Sequence, residues 1–323
     1  VCIIGPPPEN TPRADNAHLS YTFGQVEINE PTVDFRSLCG NLKSAVGALA
    51  IRENMVSPIA PIPTVRIWNT NLNSMLYCEV PVEENRPLER GNYTIPGVPG
   101  TGAKIQVDFA ETAGQGAGDL LPTDNPMDRL EVSGFGAIDA SLVDIGNPHV
   151  FIRAKDVGLK GTETVEEIDG DRNLLELLEA IRSHAAYRMG MISAPDQGKR
   201  ESPATPIIGM ISPPQDYEAP LSGRIVAASE SDFLSRLMFM QQMHKTYAGT
   251  STVCTGIASK LPGTIVHEAC RKEAQRRKEV RIGHPAGVIE TESVVELKGN
   301  NYEVKRATLG RTARRIMEGV VFA

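Results

Sequence analysis

Apolar and polar positions alternate with a period of two over several short stretches of the chain. Thr64–Asn69 and residues 74–80 read as half-buried strands on this pattern, and residues 104–109, 150–153 and 224–227 share it. The run Val1-Cys2-Ile3-Ile4, closed by Gly5 and three prolines, reads as a buried strand. A domain rarely begins inside a strand, so sequence N-terminal to Val1 is expected, and with it any targeting signal. Other stretches follow the helical period. Residues 42–53 carry Ala45, Val46, Leu49 and Ala50 at that spacing, and residues 173–189 repeat it through Leu174, Leu175, Leu178, Ile181 and Ala185. Residues 232–245 and 251–260 are the other two expected helices. Residues 197–205 read as a loop, and the highly charged residues 269–281 as a solvated helix or turn.

The two halves echo one another weakly. Each has strands, then a glycine turn, then a helix of small residues. Cys39-Gly40-Asn41 leads the first helix and Gly249-Thr250-Ser251 the second. Small side chains suit a helix enclosed closely by sheet, where bulk would not fit. The echo predicts two similar domains facing each other.

Length agrees, since 323 residues at roughly 150 per domain give two. Hydrophobic residues at 41% and charged residues at 23% describe a globular chain. The net charge of −7 leaves no basic surplus for nucleic acid or an anionic membrane surface. No apolar run is long enough to span a bilayer. A small anionic substrate stays open, because a local basic pocket is invisible in a net sum. The odd count of 5 cysteines, with no C-x-x-C pair, argues against a disulfide framework and against a cysteine zinc site. Free thiols in a reducing compartment follow.

Four places carry chemistry, each with a plainer structural alternative. A thiol at Cys39, directly before a helix and after the strand-like residues 32–35, feels the positive end of the helix dipole, which lowers its pKa. The adjacent amides of Gly40 and Asn41 can hold a carboxylate or an oxyanion, and Gly40 permits close backbone approach. The alternative is a buried cysteine beside a helix cap. In Gly146-Asn147-Pro148-His149, the proline holds Asn147 extended, so its amide can meet a ligand from a fixed turn; a plain Asn-Pro turn is the alternative. Gly283-His284-Pro285 is a second rigid turn, whose histidine is either a donor to a carboxylate, a proton shuttle or an ordinary turn residue. Gly249, Thr250 and Ser251 offer amides and hydroxyls as a second anion site, or a simple N-cap. Cys254 falls inside that helix and reads as core. The remaining histidines show no metal-ligand spacing. Arg311 to Arg315 form a basic stretch whose guanidinium forks would suit a polycarboxylate.

Together these segments resemble the PrpF family, on a diaminopimelate-epimerase-like fold. The resemblance runs through Y-T-F-G-Q-V-E-I-N at 21–29, V-D-F-R-S-L-C-G-N-L-K-S-A-V-G-A-L-A-I at 33–51, T-V-R-I-W at 64–68, I-P-G-V-P-G-T at 95–101 and I-G-N-P-H at 145–149. It continues through I-R-S-H-A-A-Y-R-M-G at 181–190, L-P-G-T at 261–264, R-I-G-H-P-A-G at 281–287 and R-T-A-R at 311–314. Each motif alone is weak; their order and spacing over the whole chain carry the resemblance.

The resemblance implies an α+β fold of two pseudo-symmetric domains, each with strands wrapped around a central helix and the site between them. On this chain they would fall at 1–135 with 305–323, and at 136–304. It implies an isomerase that needs no cofactor and no metal. Such an enzyme shifts a proton and a C=C bond in an unsaturated tricarboxylate, 2-methylaconitate or aconitate first. Cys39 is the catalytic acid/base it implies, with Gly40, Asn41, Asn147, Gly249, Thr250, Ser251 and His284 binding substrate. The family's early Gly-Gly-Thr-Ser-Lys loop and its catalytic lysine would precede Val1. The partner implied is the polycarboxylate, with neither nucleic acid nor membrane; a homodimer and a cytoplasmic or mitochondrial-matrix location fit the same family. Two alternatives stay open: an amino-acid epimerase using Cys39 and Cys254, and a carboxylate-binding protein without catalysis.

Overall fold

A computed structural model describes residues 1–26, 33–35, 39–57, 61–299 and 301–320. Its principal strands are β1 (Cys2–Gly5), β2 (Leu19–Phe23), β3 (Thr64–Asn69), β4 (Ser74–Glu79), β5 (Ile105–Asp108), β6 (Asp128–Val132) and β7 (Gly136–Ile145). They continue with β8 (Asn147–Arg153), β9 (Ile207–Ser212), β10 (Phe233–Phe239), β11 (Glu279–His284), β12 (Gly287–Lys298) and β13 (Asn301–Arg311). All lie on one hydrogen-bonded path in the order β1-β2-β3-β4-β5-β13-β12-β11-β10-β9-β8-β7-β6. Most neighbours are antiparallel, while β2–β3, β8–β9 and β10–β11 are parallel. β13 joins the two halves: Thr308–Arg311 pair with β5, and the rest of the strand pairs with β12. This is the expected α+β, diaminopimelate-epimerase-like fold.

Two helices are wrapped by this sheet, α1 (Gly40–Arg52) and α3 (Gly249–Ala258), and a third, α2 (Arg172–Arg188), covers the second half from outside. Every residue of α3 is buried. α1 and α3 share a glycine pattern, Gly40 with Gly47 and Gly249 with Gly256. A Cβ on Gly47 would come 2.9 Å from Cys78 Cβ on β4, and one on Gly256 would come 2.5 Å from Ser293 Oγ and Thr291 Cγ2 on β12. The small residues of both helices therefore set how close helix and sheet approach. One core cluster continues through both halves, from Leu19, Val46 and Ile67 to Val143, Phe233 and Ile257. A second lies under α2, around Leu178, Ile181, Ile152 and Met210.

The helix expected at 232–245 is the strand β10 followed by the short strand Gln242–Met243. Phe233 to Met238 are all buried, on both faces of a central strand. A strand buried on both faces shows a continuous apolar run, which also satisfies a helical period. The loop expected at 197–205 contains one helical turn, Gly198–Glu201. Residues 269–281 hold the short helix Lys272–Arg276 and then the start of β11. The strand expected at 32–35 is present as Val33–Asp34, with Thr32 outside the described residues, as is the end of the 21–29 motif. No described helix is long and apolar enough to cross a membrane.

Candidate active site

Cys39 sits where expected, immediately before the first turn of α1, in an extended conformation (φ −111°, ψ 108°) and half-buried. Its thiol makes no capping bond. Asn41 follows in the first turn, and its Oδ1 accepts from Arg311 Nε at 2.7 Å. Arg311 ends β13, is 7% exposed, and returns Nη1 to its own strand at Gly310 O, 2.9 Å away. Among the described residues no carboxylate pairs with it. Burial pulls its pKa down, while Cys39 and Tyr93 pull it up. An arginine buried without a counter-ion is costly, and a carboxylate ligand would remove that cost.

His284 closes β11 and is 1% exposed. Its Nδ1 accepts from Ala286 N at 3.2 Å, so the ring proton falls on Nε2, which has no partner. Burial first, then the nearby Arg236 charge, pushes its pKa down to about 3. The ring is therefore neutral at ordinary pH. It can donate from Nε2. Arg236 on β10 is fully buried. It donates Nε to Glu163 O at 2.8 Å, leaves Nη2 without a partner, and lies 5.2 Å from the Tyr217 ring. The Tyr217 hydroxyl in turn holds the turn backbone, donating to His284 O at 2.9 Å. The field of Arg311 reaches both Cys39 and His284. Asn41 and Arg311, bonded to each other, thus stand beside Cys39, and the Arg311 charge also helps to lower the His284 pKa.

Asn147, Thr250 and Ser251 form a group of their own. Gly146 turns with φ +71°, and a Cβ there would lie 3.3 Å from Thr250 Cβ. Close approach at this turn lets Asn147 Nδ2 donate to Thr250 Oγ1 at 2.8 Å. His149 Nε2 meets Ser251 Oγ at 2.7 Å, and its Nδ1 meets Asn147 O at 2.8 Å. Thr250 and Ser251 are thus not caps; the residue flanking α3 is Ala248. Their hydroxyls are held by β8, and the first-turn amides from Gly249 remain the groups that face an anion. Cys254 sits in the core, donating Sγ to Val143 O at 3.6 Å, its pKa driven far up by burial. Its thiol is thus spent on the β7 backbone within the core. Among the described residues no group of three or more His, Cys, Asp or Glu could hold a metal ion.

His149, Arg236 and Lys43 do not stand out from the sequence as site residues. Arg236 carried a signal, being a lone charge inside the apolar run FLSRLMF. His149 carried none beyond its place in the Asn-Pro-His turn.

This fold, with a half-buried thiol at one central helix start and unpaired donors from the facing half, belongs to an isomerase. Residues 10–323 match the model of the PrpF protein family, and the chain belongs to that family. It is 45% identical to a 3-methylitaconate isomerase of Eubacterium barkeri, over 100% of this chain and 82% of that one. It is 37% identical to a 2-methyl-aconitate isomerase of Shewanella oneidensis, over 95% and 78%. The solved structure of a methylitaconate-delta-isomerase superposes with a TM-score of 0.89 at 44% identity, covering 99% of this chain and 80% of that one.

Proposed function

We propose that the chain moves a proton, and with it a C=C bond, along a short unsaturated polycarboxylate, with Cys39 as an acid/base. The observation that carries this is Arg311. A buried guanidinium with no carboxylate partner among the described residues, tied to Asn41 beside Cys39, suits a substrate that brings its own carboxylate. The relative at 45% identity moves 3-methylitaconate to the head of the candidates, ahead of 2-methylaconitate and aconitate.

In 3-methylitaconate the allylic proton leaves C3 for a base, giving a dienolate. The proton returns at the terminal methylene carbon, which becomes a methyl group, and the double bond moves inward. The developing negative charge lies on the carboxylate oxygens of the dienolate. Arg311, the amides at the start of α1 and the neutral Nε2–H of His284 are donors suited to that charge. None of the three needs to change protonation during the reaction.

The test is a panel followed by proton NMR: 3-methylitaconate, 2-methylaconitate, aconitate, a monocarboxylate of the same skeleton, and proline. Movement of the double bond in a polycarboxylate, with none in the monocarboxylate, is the expected result. Racemisation of proline alone would overturn the reading. Thermal stabilisation by polycarboxylates without conversion would leave a binding protein in its place.

A further inference from the structure

Lys43 stands at the fourth helical position of α1, one turn after the flanking Cys39, and the two groups interact electrostatically. It is fully buried, and its Nζ has no hydrogen-bond partner. The ammonium position is 4.2 Å from the centre of the Phe109 ring, at the end of β5. No acidic side chain among the described residues pairs with it. The titratable groups around this corner are few. Cys2 on β1, Tyr21 on β2 and Arg311 on β13 share the field of Cys39. Cys78 on β4 donates Sγ to Lys43 O at 3.9 Å, and burial keeps its thiol protonated, with a pKa of about 12. Cys254 on α3 is protonated for the same reason, and Asp108 on β5 is turned toward Arg306 at 3.4 Å. Burial pushes the Lys43 pKa down to about 7, and Cys39 is the one group that pulls it back up.

We propose that Lys43 is a positioning residue that sets the charge of Cys39: its amine takes up a proton as the thiolate forms and gives one up as the thiol re-forms. S–H and H₂N become S⁻ and H₃N⁺, so the net charge of a closed corner does not change. Among the described residues no carboxylate accounts for this buried ammonium, and a core position needs only an apolar side chain. A neutral amine beside the thiol removes that cost in the resting state. The ion pair removes it again once the thiolate exists, and the Phe109 ring face favours the cation. The two groups therefore titrate as a pair. The reading rests on Cys39 being the acid/base.

The experiment needs no substrate. Alkylation of Cys39 by iodoacetamide is followed by peptide-resolved mass spectrometry from pH 5.5 to 9.5, since the thiolate is the species that reacts. In Lys43→Met the midpoint is expected to move up by about one pH unit, slowing alkylation at pH 7 about tenfold. Lys43→Arg, which stays cationic throughout, is expected to hold the midpoint at or below that of the natural protein. An unchanged midpoint in a folded Lys43→Met protein overturns the proposal, whether or not turnover is later found. Should Lys43→Met fail to fold, the ¹³Cε signal of Lys43 in the natural protein decides. Its titration near neutral pH should fall by about half a unit or more in Cys39→Ser, and an unmoved titration overturns the proposal equally.

Discussion

The side-chain amide of Asn147 donates to Thr250 Oγ1 at 2.8 Å, joining the turn that opens β8 to the first turn of α3. Ser251 and His149 repeat the connection one residue along, at 2.7 Å. Two neighbouring side chains of the helix start are thereby fixed by one strand, which holds its free amides in place.

Ser251→Ala should cost stability out of proportion to the atom removed. It strands His149 Nε2, fully buried, without a partner. Leaving a buried polar group unsatisfied costs about 1–3 kcal/mol. Urea unfolding should show that loss with an unchanged slope. A loss near zero would mean that His149 finds another partner.

Gly256→Ala sets two effects against each other. Alanine raises helix propensity by about 1 kcal/mol. Its Cβ would also press on Ser293 and Thr291 at 2.5 Å, and overpacking of this kind costs about 1–3 kcal/mol. The net expectation is destabilisation, read as a lower midpoint in urea. A stabilised variant would show that β12 yields.

The buried histidines make stability depend on acid. His149 and His284 have pKa values lowered by burial to about 4 and about 3. Below about 6.5, the ordinary histidine value, the unfolded chain binds protons that the folded chain does not. Stability is complete above that pH and falls as the pH drops toward 4 and 3, by up to about 1.4 kcal/mol per pH unit for each ring. In His149→Asn the loss between pH 6.5 and 4.5 should be smaller, since one of the buried rings no longer takes up a proton on unfolding. An equal slope in the variant would place the acid sensitivity elsewhere.

Arg311 should show itself in substrate affinity. Removing one partner of a buried charge pair costs about 2–5 kcal/mol, so Arg311→Met should lower kcat/KM by at least about thirtyfold, through kcat as well as KM. Arg311→Lys should recover little, because an ammonium cannot reproduce the fork that meets Asn41 Oδ1 and a carboxylate together. Full activity in Arg311→Lys would contradict the assignment.

Much of this architecture was legible in the chain. Thr64–Asn69 alternates and is a strand, and the small residues after Gly40 and Gly249 mark the two enclosed helices. Residues 232–245 were not legible, because a strand buried on both faces has no period of its own. Cys39 and Asn41 announced themselves by standing at a helix start. Lys43 and Arg236 did not. Their significance lies in buried nitrogens left without a hydrogen bond, Lys43 Nζ and Arg236 Nη2, and that is a property of the folded molecule. Asn147 was picked out as a ligand contact, and the turn at Gly146 brings its Nδ2 onto Thr250 Oγ1.

Cys39 as the acid/base is tested most directly by deuterium exchange. The protein and its Cys39→Ser variant are each incubated with 3-methylitaconate in D₂O and followed by proton NMR. Deuterium should enter the allylic positions as the double bond moves, and both should be lost in the variant while Arg311-dependent binding persists. Undiminished exchange in Cys39→Ser would contradict the role given to the thiol.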